Sequence, residues 1–238
     1  MQANLLKALL ADLDKHCKTC PLEVLLTLNQ PETLPFAADG FSFPVRVIRN
    51  PAPLGFAANH NQAFVQAAGQ YFCVLNPDIR FDGDPFPALL SCLQNPFIAV
   101  AAPVVLGESG AVEDSARRFP TPLKILCKVF GRCKGGDYVL KDETIFPDWV
   151  GGMFMLIPSG VFREIGGFDT GFFLYYEDVD LCARLTLRGY RVALCHEVSV
   201  VHHARRSSHT NPRYLWWHVA SVLRFFFSPV YRQLRHRK

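Results

Sequence analysis

Leu5, Leu6, Leu9, Leu10 and Leu13 recur at helical spacing and predict an amphipathic helix over residues 4–17. Short leucine- and valine-rich runs at 22–28 and 45–48 predict two strands. A helical stretch at 56–68 and a buried strand at 71–75 follow, the strand closing in Asn76-Pro77-Asp78. A short helix at 87–93 precedes an apolar, β-branched run at 98–106. Strand and helix alternate throughout this half, which predicts an α/β domain with a mostly parallel central sheet.

The second half is less regular. Residues 107–122 are polar and read as a loop, 121–130 as a helix, and 131–148, rich in glycine and charge, as irregular chain. A strand at 153–157 leads to a short helix at 161–165, with Ser159 as its expected N-cap. Residues 178–188 predict a helix with acids in its first turn, Arg188 in its last, and Gly189 closing it. Two strands, 191–194 and 198–201, complete the domain. Residues 209–238 form a basic, aromatic tail, predicted helical over 214–230.

Composition narrows the classes. The chain has 238 residues, half of them apolar, enough for one sizeable core. Eight scattered cysteines in such a chain do not read as a disulfide framework, and Cys17-x-x-Cys20 lacks the second pair a zinc site needs. No signal peptide or apolar run of spanning length is visible, so reduced thiols and a cytoplasmic setting are expected. The net charge of +4 is uneven: residues 1–197 carry 17 Lys/Arg against 21 Asp/Glu, whereas 198–238 carry eight Lys/Arg and no acid. Trp216, Trp217 and the flanking arginines suit a membrane interface, with packing on the body as the plainer account. Nothing else in the chain favours nucleic acid.

The candidate chemistry is carboxylate chemistry. Asp78 follows a buried strand that Pro77 stops, and ligands of open α/β sheets bind beyond strand ends; a turn aspartate would look the same. Glu177, Asp178 and Asp180 open a helix behind Phe172-Phe173-Leu174-Tyr175-Tyr176. Dipole compensation and an Asp180–Arg184 pair account for part of this cluster. They do not account for the aromatic wall, which suits a general base of tuned pKa. His202 and His203 end a strand, where one of them could complete a metal site.

Taken in order, several segments carry a resemblance. They are Asn50-x4-Gly55-Phe56-Ala57-x-Asn59-x-Asn61, Leu75-Asn76-Pro77-Asp78, Trp149-Val150-Gly151-Gly152-Met153-Phe154, Gly166-Gly167-Phe168-Asp169, Glu177-Asp178-Val179-Asp180-Leu181-x2-Arg184, and His202. From about Leu5 to Ser208 the chain resembles a family 2 glycosyltransferase of the rhamnosyltransferase-like branch. The resemblance implies a GT-A fold, a Rossmann-like nucleotide-diphospho-sugar transferase domain over 1–208. Its nucleotide-binding half would span about 1–106 and its acceptor half 107–208. It also implies inverting, metal-dependent transfer of a sugar, with rhamnose suggested by the branch, from a nucleotide-diphosphate donor to a surface-glycan or lipid-linked acceptor. Asp178 would be the base, with Glu177 shaping the site. Asp78 and His202 would hold Mg2+ or Mn2+. Asn59, Asn61, Asn76, Asp78 and Arg184 would face the donor, and Trp149, Gly151 and Gly152 the acceptor. Such an enzyme would work in the cytoplasm, peripheral on the membrane through its tail. The family opens with a strand that this chain lacks, because the sequence starts in the helix that would follow it. A non-catalytic nucleotide-sugar- or partner-binding module of the same fold is the alternative.

Overall fold

A computed structural model describes residues 3–129, 136–138, 143–203 and 212–237. Arg205, Arg206 and Lys238 of the basic tail, and most of the stretch 131–142, lie outside the described residues.

Helix α1 (Ala3–His16) buries Leu9, Leu10 and Leu13, as its spacing requires. Strands β1 (Val24–Leu28) and β2 (Val45–Arg49) pair in parallel, and α2 (Phe56–Gln66) follows. Then come β3 (Tyr71–Leu75), β4 (Ile79–Arg80), α3 (Phe86–Cys92) and β5 (Ile98–Gly107). The second half contributes β6 (Ala116–Arg117), α4 (Pro122–Val129), β7 (Trp149–Val150), β8 (Phe154–Pro158), α5 (Ser159–Glu164), α6 (Glu177–Leu187) and β9 (Arg191–His202). Two helices close the chain, α7 (Pro212–Phe227) and α8 (Pro229–His236).

The central sheet has the order β3-β8-β5-β9-β4 and takes strands from both halves of the chain. Only β5–β9 is parallel; β3–β8, β8–β5 and β9–β4 are antiparallel. The α/β class stands, but the mostly parallel expectation gives way to a mixed sheet. The physical reason is that β4 follows β3 by a tight turn and β8 arrives from a long excursion, so neither is the end of a βαβ crossover. Among the described residues, β1 pairs only with β2 and β3 only with β8, so the small and large sheets share no pairing.

Two apolar cores sandwich this sheet. Met155 and Ile157 of β8 and Val192 and Leu194 of β9 enter one; Phe154, Leu156, Ala193 and Cys195 enter the other. That alternation is the period of a strand buried on both faces. β5 is buried from Ile98 through Val105. Its register on β9 jumps from Pro103↔Cys195 to Val104↔Ser199, so three residues bulge out and the two strands expected at 191–194 and 198–201 are one.

Smaller departures have local causes. Ser159 starts α5 rather than capping it, because its hydroxyl donates to Gly69 O at 2.7 Å. The single tail helix is two, broken where the Ser228 hydroxyl accepts from the Tyr231 N–H ahead of Pro229. The polar stretch 107–122 holds β6, which pairs with β7.

A turn at 165–168 joins α5 to the loop before α6, and two side chains lock it. Asn61 Nδ2 donates to Phe168 O (2.8 Å), and Asn61 Oδ1 accepts from Phe168 N–H (2.9 Å). Arg184 donates to Ile165 O and Gly167 O, both at 2.8 Å. Gly167 has φ +68, and a Cβ there would lie 2.5 Å from Asn61 Oδ1. Truncating Asn61 leaves both backbone groups of Phe168 without partners. Asn61→Ala is therefore expected to lower unfolding stability by about 2 kcal/mol or more, read as a shifted urea midpoint.

Candidate active site

The register of β3 on β8 gathers the first group of residues. Leu75 faces Phe154, and Asn76 N–H donates to Met153 O at 3.0 Å. Pro77 carries no N–H, so the ladder stops, and the turn closes through Ile79 N–H to Asn76 O. β4 then pairs Ile79 with His202 at the end of β9, and His203 N–H donates to Asp78 O at 2.9 Å. His202 Nε2 lies 3.5 Å from Asp78 Oδ1, and its Nδ1 lies 2.9 Å from Glu113 Oε2.

Glu113 carried no signal in the sequence. It arrives on the hairpin after β5, where Glu113 N–H donates to Val105 O and Gly107 N–H to Ala111 O. Asp78 and Glu113 together push the His202 imidazole up to about 9, against the opposing effect of burial. The charged ring adds stability below its unfolded pKa of 6.5, and that contribution is lost as pH rises through about 9.

Asp78 Oδ1 is buried and makes no hydrogen bond. A bare carboxylate oxygen beside an imidazole fits a divalent cation, and a carboxylate on the other ring nitrogen is the usual partner of a ligating histidine. Among the described residues no group of three or more His, Cys, Asp or Glu could hold a metal. The protein would thus offer two ligands, Asp78 and His202, and leave the remaining positions to other oxygen donors.

The second group centres on Asp178. Its Oδ2 accepts from Gly152 N–H (2.9 Å) and its Oδ1 from Val179 N–H (2.8 Å). Space at Gly152 is tight: a Cβ would come within 3.3 Å of the Phe56 ring and in contact with the Asp178 Cβ at 3.6 Å. Because Gly152 lies two residues before Phe154, this carboxylate sits at the same end of the sheet as Asp78. Burial raises the pKa of both Glu177 and Asp178, and the Asp178 charge raises that of Glu177 further. Glu177 is 4% exposed with one bare carboxylate oxygen, whereas Asp178 has two N–H donors and the nearby charge of Arg117 to favour its anion. The proton shared by this pair therefore rests on Glu177 first, leaving Asp178 as the carboxylate.

The loop in front of the pair is strained. Tyr175 and Tyr176 both have φ 69, and Tyr176 is the N-cap of α6. Phe173 O accepts from Phe56 N–H at 2.8 Å, over a Gly55 whose Cβ would lie 2.5 Å from that oxygen.

The remaining candidates divide. Trp149 pairs with Arg117 across β6–β7, donates from Nε1 to Arg118 O (3.1 Å), and lies under the Arg117 guanidinium at 5.5 Å. Gly151 N–H donates to Ser115 O (2.8 Å), next to the Gly152–Asp178 contact. Asn59 Oδ1 accepts from Asn50 Nδ2 (2.6 Å), which also donates to Asn29 Oδ1 (3.0 Å). These three asparagines join the ends of β1 and β2 to the start of α2, and Asn50 Oδ1 is buried and unpartnered. Asn61 and Arg184 make no hydrogen bond or ion pair to Asp78 or Asp178: their polar atoms hold the 165–168 turn, and Arg184 Nε pairs with Asp180 at 2.7 Å. Asn76 contributes its backbone at the strand end.

A family model described as glycosyl transferase family 2 matches residues 3–157. Rhamnosyltransferase WbbL of Escherichia coli (strain K12) is 30% identical over 186 residues, covering 72% of this chain and 69% of that protein. An N-acetylglucosaminyl-diphospho-decaprenol L-rhamnosyltransferase of Mycobacterium tuberculosis (strain ATCC 25618 / H37Rv) is 27% identical over 214 residues, covering 81% and 70%. Among solved structures, GalNAc-T7 with UDP, GalNAc and Mn2+ superposes with a TM-score of 0.64 at 16% identity, over 84% of this chain and 41% of that one. Mannosyltransferase PcManGT from Pyrobaculum calidifontis with GDP-Man and Mn2+ gives 0.61 at 16%, over 93% and 61%. These likenesses show the GT-A fold.

Two measurements check the electrostatics. A buried acid whose folded pKa is raised favours the fold below its unfolded pKa and opposes it as pH rises through the folded value. Glu177→Gln is therefore expected to be more stable than the parent protein at neutral pH in urea unfolding, with the difference vanishing below the ordinary carboxylate range. In metal-free protein, Glu113→Gln is expected to bring the His202 imidazole down from about 9, followed by NMR titration of the ring.

Proposed function

Since the chain belongs to glycosyl transferase family 2, we propose that it transfers a sugar from a nucleoside-diphosphate donor to an acceptor hydroxyl, with inversion and with the help of a divalent cation. The observation that carries this reading is the Asp178 carboxylate, held by Gly152 and Val179 at the same sheet end as the Asp78–His202 pair. Rhamnose is the proposed sugar, and a lipid-linked diphospho-glycan the proposed acceptor, because two relatives are named for rhamnosyl transfer and one of these for a decaprenol-linked acceptor.

In this reading Asp178 takes the proton of the acceptor hydroxyl as its oxygen attacks the anomeric carbon, opposite the departing diphosphate. The fixed N–H donors stop the carboxylate from turning toward any other partner, and Glu177, holding its own proton, adds no competing charge. Mg2+ or Mn2+ on Asp78 and His202 would neutralise charge growing on the diphosphate. Glu113 orients His202 from behind. The Asn29–Asn50–Asn59 group, with its bare Asn50 oxygen, lies at the ends of β1 and β2 and offers polar contacts to the donor nucleotide. Arg117 stacked on Trp149 offers a cation and an aromatic face on the acceptor side, beside Asp178.

Asp178→Asn is expected to lower transfer by about a hundredfold or more while calorimetry still detects nucleoside-diphosphate binding with Mn2+. Asp78→Ala is expected to weaken that Mn2+-supported binding at least about tenfold. Transfer surviving both substitutions would overturn the assignment. In the parent protein the acid limb of kcat/KM should rise with pH through an apparent value above that of an ordinary aspartate, because the base must be ionised and burial raises its pKa.

A further inference from the structure

We propose that the outward face of α7, together with the basic side chains of α8, is a docking surface for an anionic lipid bilayer. Five large apolar side chains on α7 stand in solvent: Leu215, Trp216, Val219, Leu223 and Phe227, between 43% and 80% exposed. At 3.6 residues per turn they fall within an arc of about 120°, and no charged residue of the helix lies in that arc. The helix does not need this face for its own packing, because the opposite face is already committed.

That inner face is built around Ser221 and Phe225, both buried. The Ser221 hydroxyl donates to Leu174 O at 2.9 Å, and Arg224 pairs with Asp169 at 2.8 Å. Trp217 packs on Phe173 with ring centroids 4.6 Å apart. α7 thus lies across the 169–176 loop that leads into Glu177 and Asp178. The two arcs are opposed, so the apolar stripe points directly away from the body.

Charge selects the occupant. No acidic residue follows Glu197, and Arg232 and Arg235 on α8 are exposed. A second copy docking through the same face would bring basic tail against basic tail, which like charges oppose. An anionic membrane supplies the opposite sign, and its interface accommodates tryptophan beside arginine. Among the described residues no helix is long and apolar enough to cross a membrane, so the contact is one of a helix lying on the surface. One helix thickness, about 10 Å, would then separate lipid from the loop that leads into α6 and Asp178. The benefit for a lipid-linked acceptor rests on the proposed function; the binding itself does not.

Co-sedimentation of the full chain with vesicles tests this. Vesicles of equal parts phosphatidylcholine and phosphatidylglycerol are expected to take down the protein, and phosphatidylcholine alone at least about tenfold less. Trp216→Glu with Leu223→Glu is expected to abolish sedimentation, with the thermal unfolding midpoint and donor hydrolysis in solution unchanged. Arg232→Glu with Arg235→Glu is expected to remove the preference for the anionic lipid. No binding to the mixed vesicles, equal binding to both compositions, or full binding by the Trp216/Leu223 variant would each overturn the proposal. So would a dimer in sedimentation velocity that the Trp216/Leu223 variant dissociates without any change at vesicles. No arm needs a sugar donor to score binding, so this result stands apart from the fate of the transferase reading.

Discussion

A carboxylate that leaves water needs donors in its place, and for Asp178 these are the N–H groups of Gly152 and Val179. One belongs to the segment between β7 and β8, the other to the first turn of α6. The contact therefore fastens α6 to the end of the central sheet, and much else follows from it. Gly152 leaves little room for a side chain, because the Phe56 ring and Asp178 pack against it. Glu177 must enter the core beside Asp178, and burial and that neighbouring charge raise its pKa. The preceding tyrosines must accept left-handed backbone so that α6 can begin where the carboxylate is needed.

Such strain persists only where surroundings over-determine it. Here they do so from both ends of the chain. Phe56 at the start of α2 holds Phe173, and Ser221 of α7 holds Leu174. The loop is thus clamped between the start of α2 and the tail. α7 is a structural member of the site as well as an exposed surface, and its two roles occupy opposite faces without competing.

Much of this was legible in the sequence because it rests on short-range chemistry. Helix α1 announced itself by leucine spacing, α6 by its acidic first turn, and the Asp180–Arg184 pair by its i,i+4 separation. Ordered motifs named Asp78, Asp178 and His202. What escaped was set by long-range pairing. Nothing near Glu113 indicates that its hairpin folds back onto His202, 89 residues away. The family resemblance assigns Asn61 and Arg184 to the donor; that their side chains also hold a turn 107 residues from Asn61 is visible only in the tertiary structure. Strand direction was misjudged for a similar reason: alternation of strand and helix does not say which connections are true crossovers. The break in the tail helix is different: Ser228 and Pro229 are a local stop-and-cap signal, overshadowed by the apolar residues on both sides of it.

The bulge in β9 works as a spacer. Between Cys195 and Ser199 the strand advances four residues while β5 advances one, so three residues add length without adding reach along the sheet. Were they pulled into the ladder, His202 would overshoot its place by about 10 Å, at roughly 3.3 Å per residue. It would also point to the other face, since three is an odd number. Insertions and deletions are commonly tolerated at chain turns, but in this strand a change of one residue would re-aim the imidazole opposite Asp78. The stretch His196-Glu197-Val198 is thus a place where length matters more than the identity of any side chain.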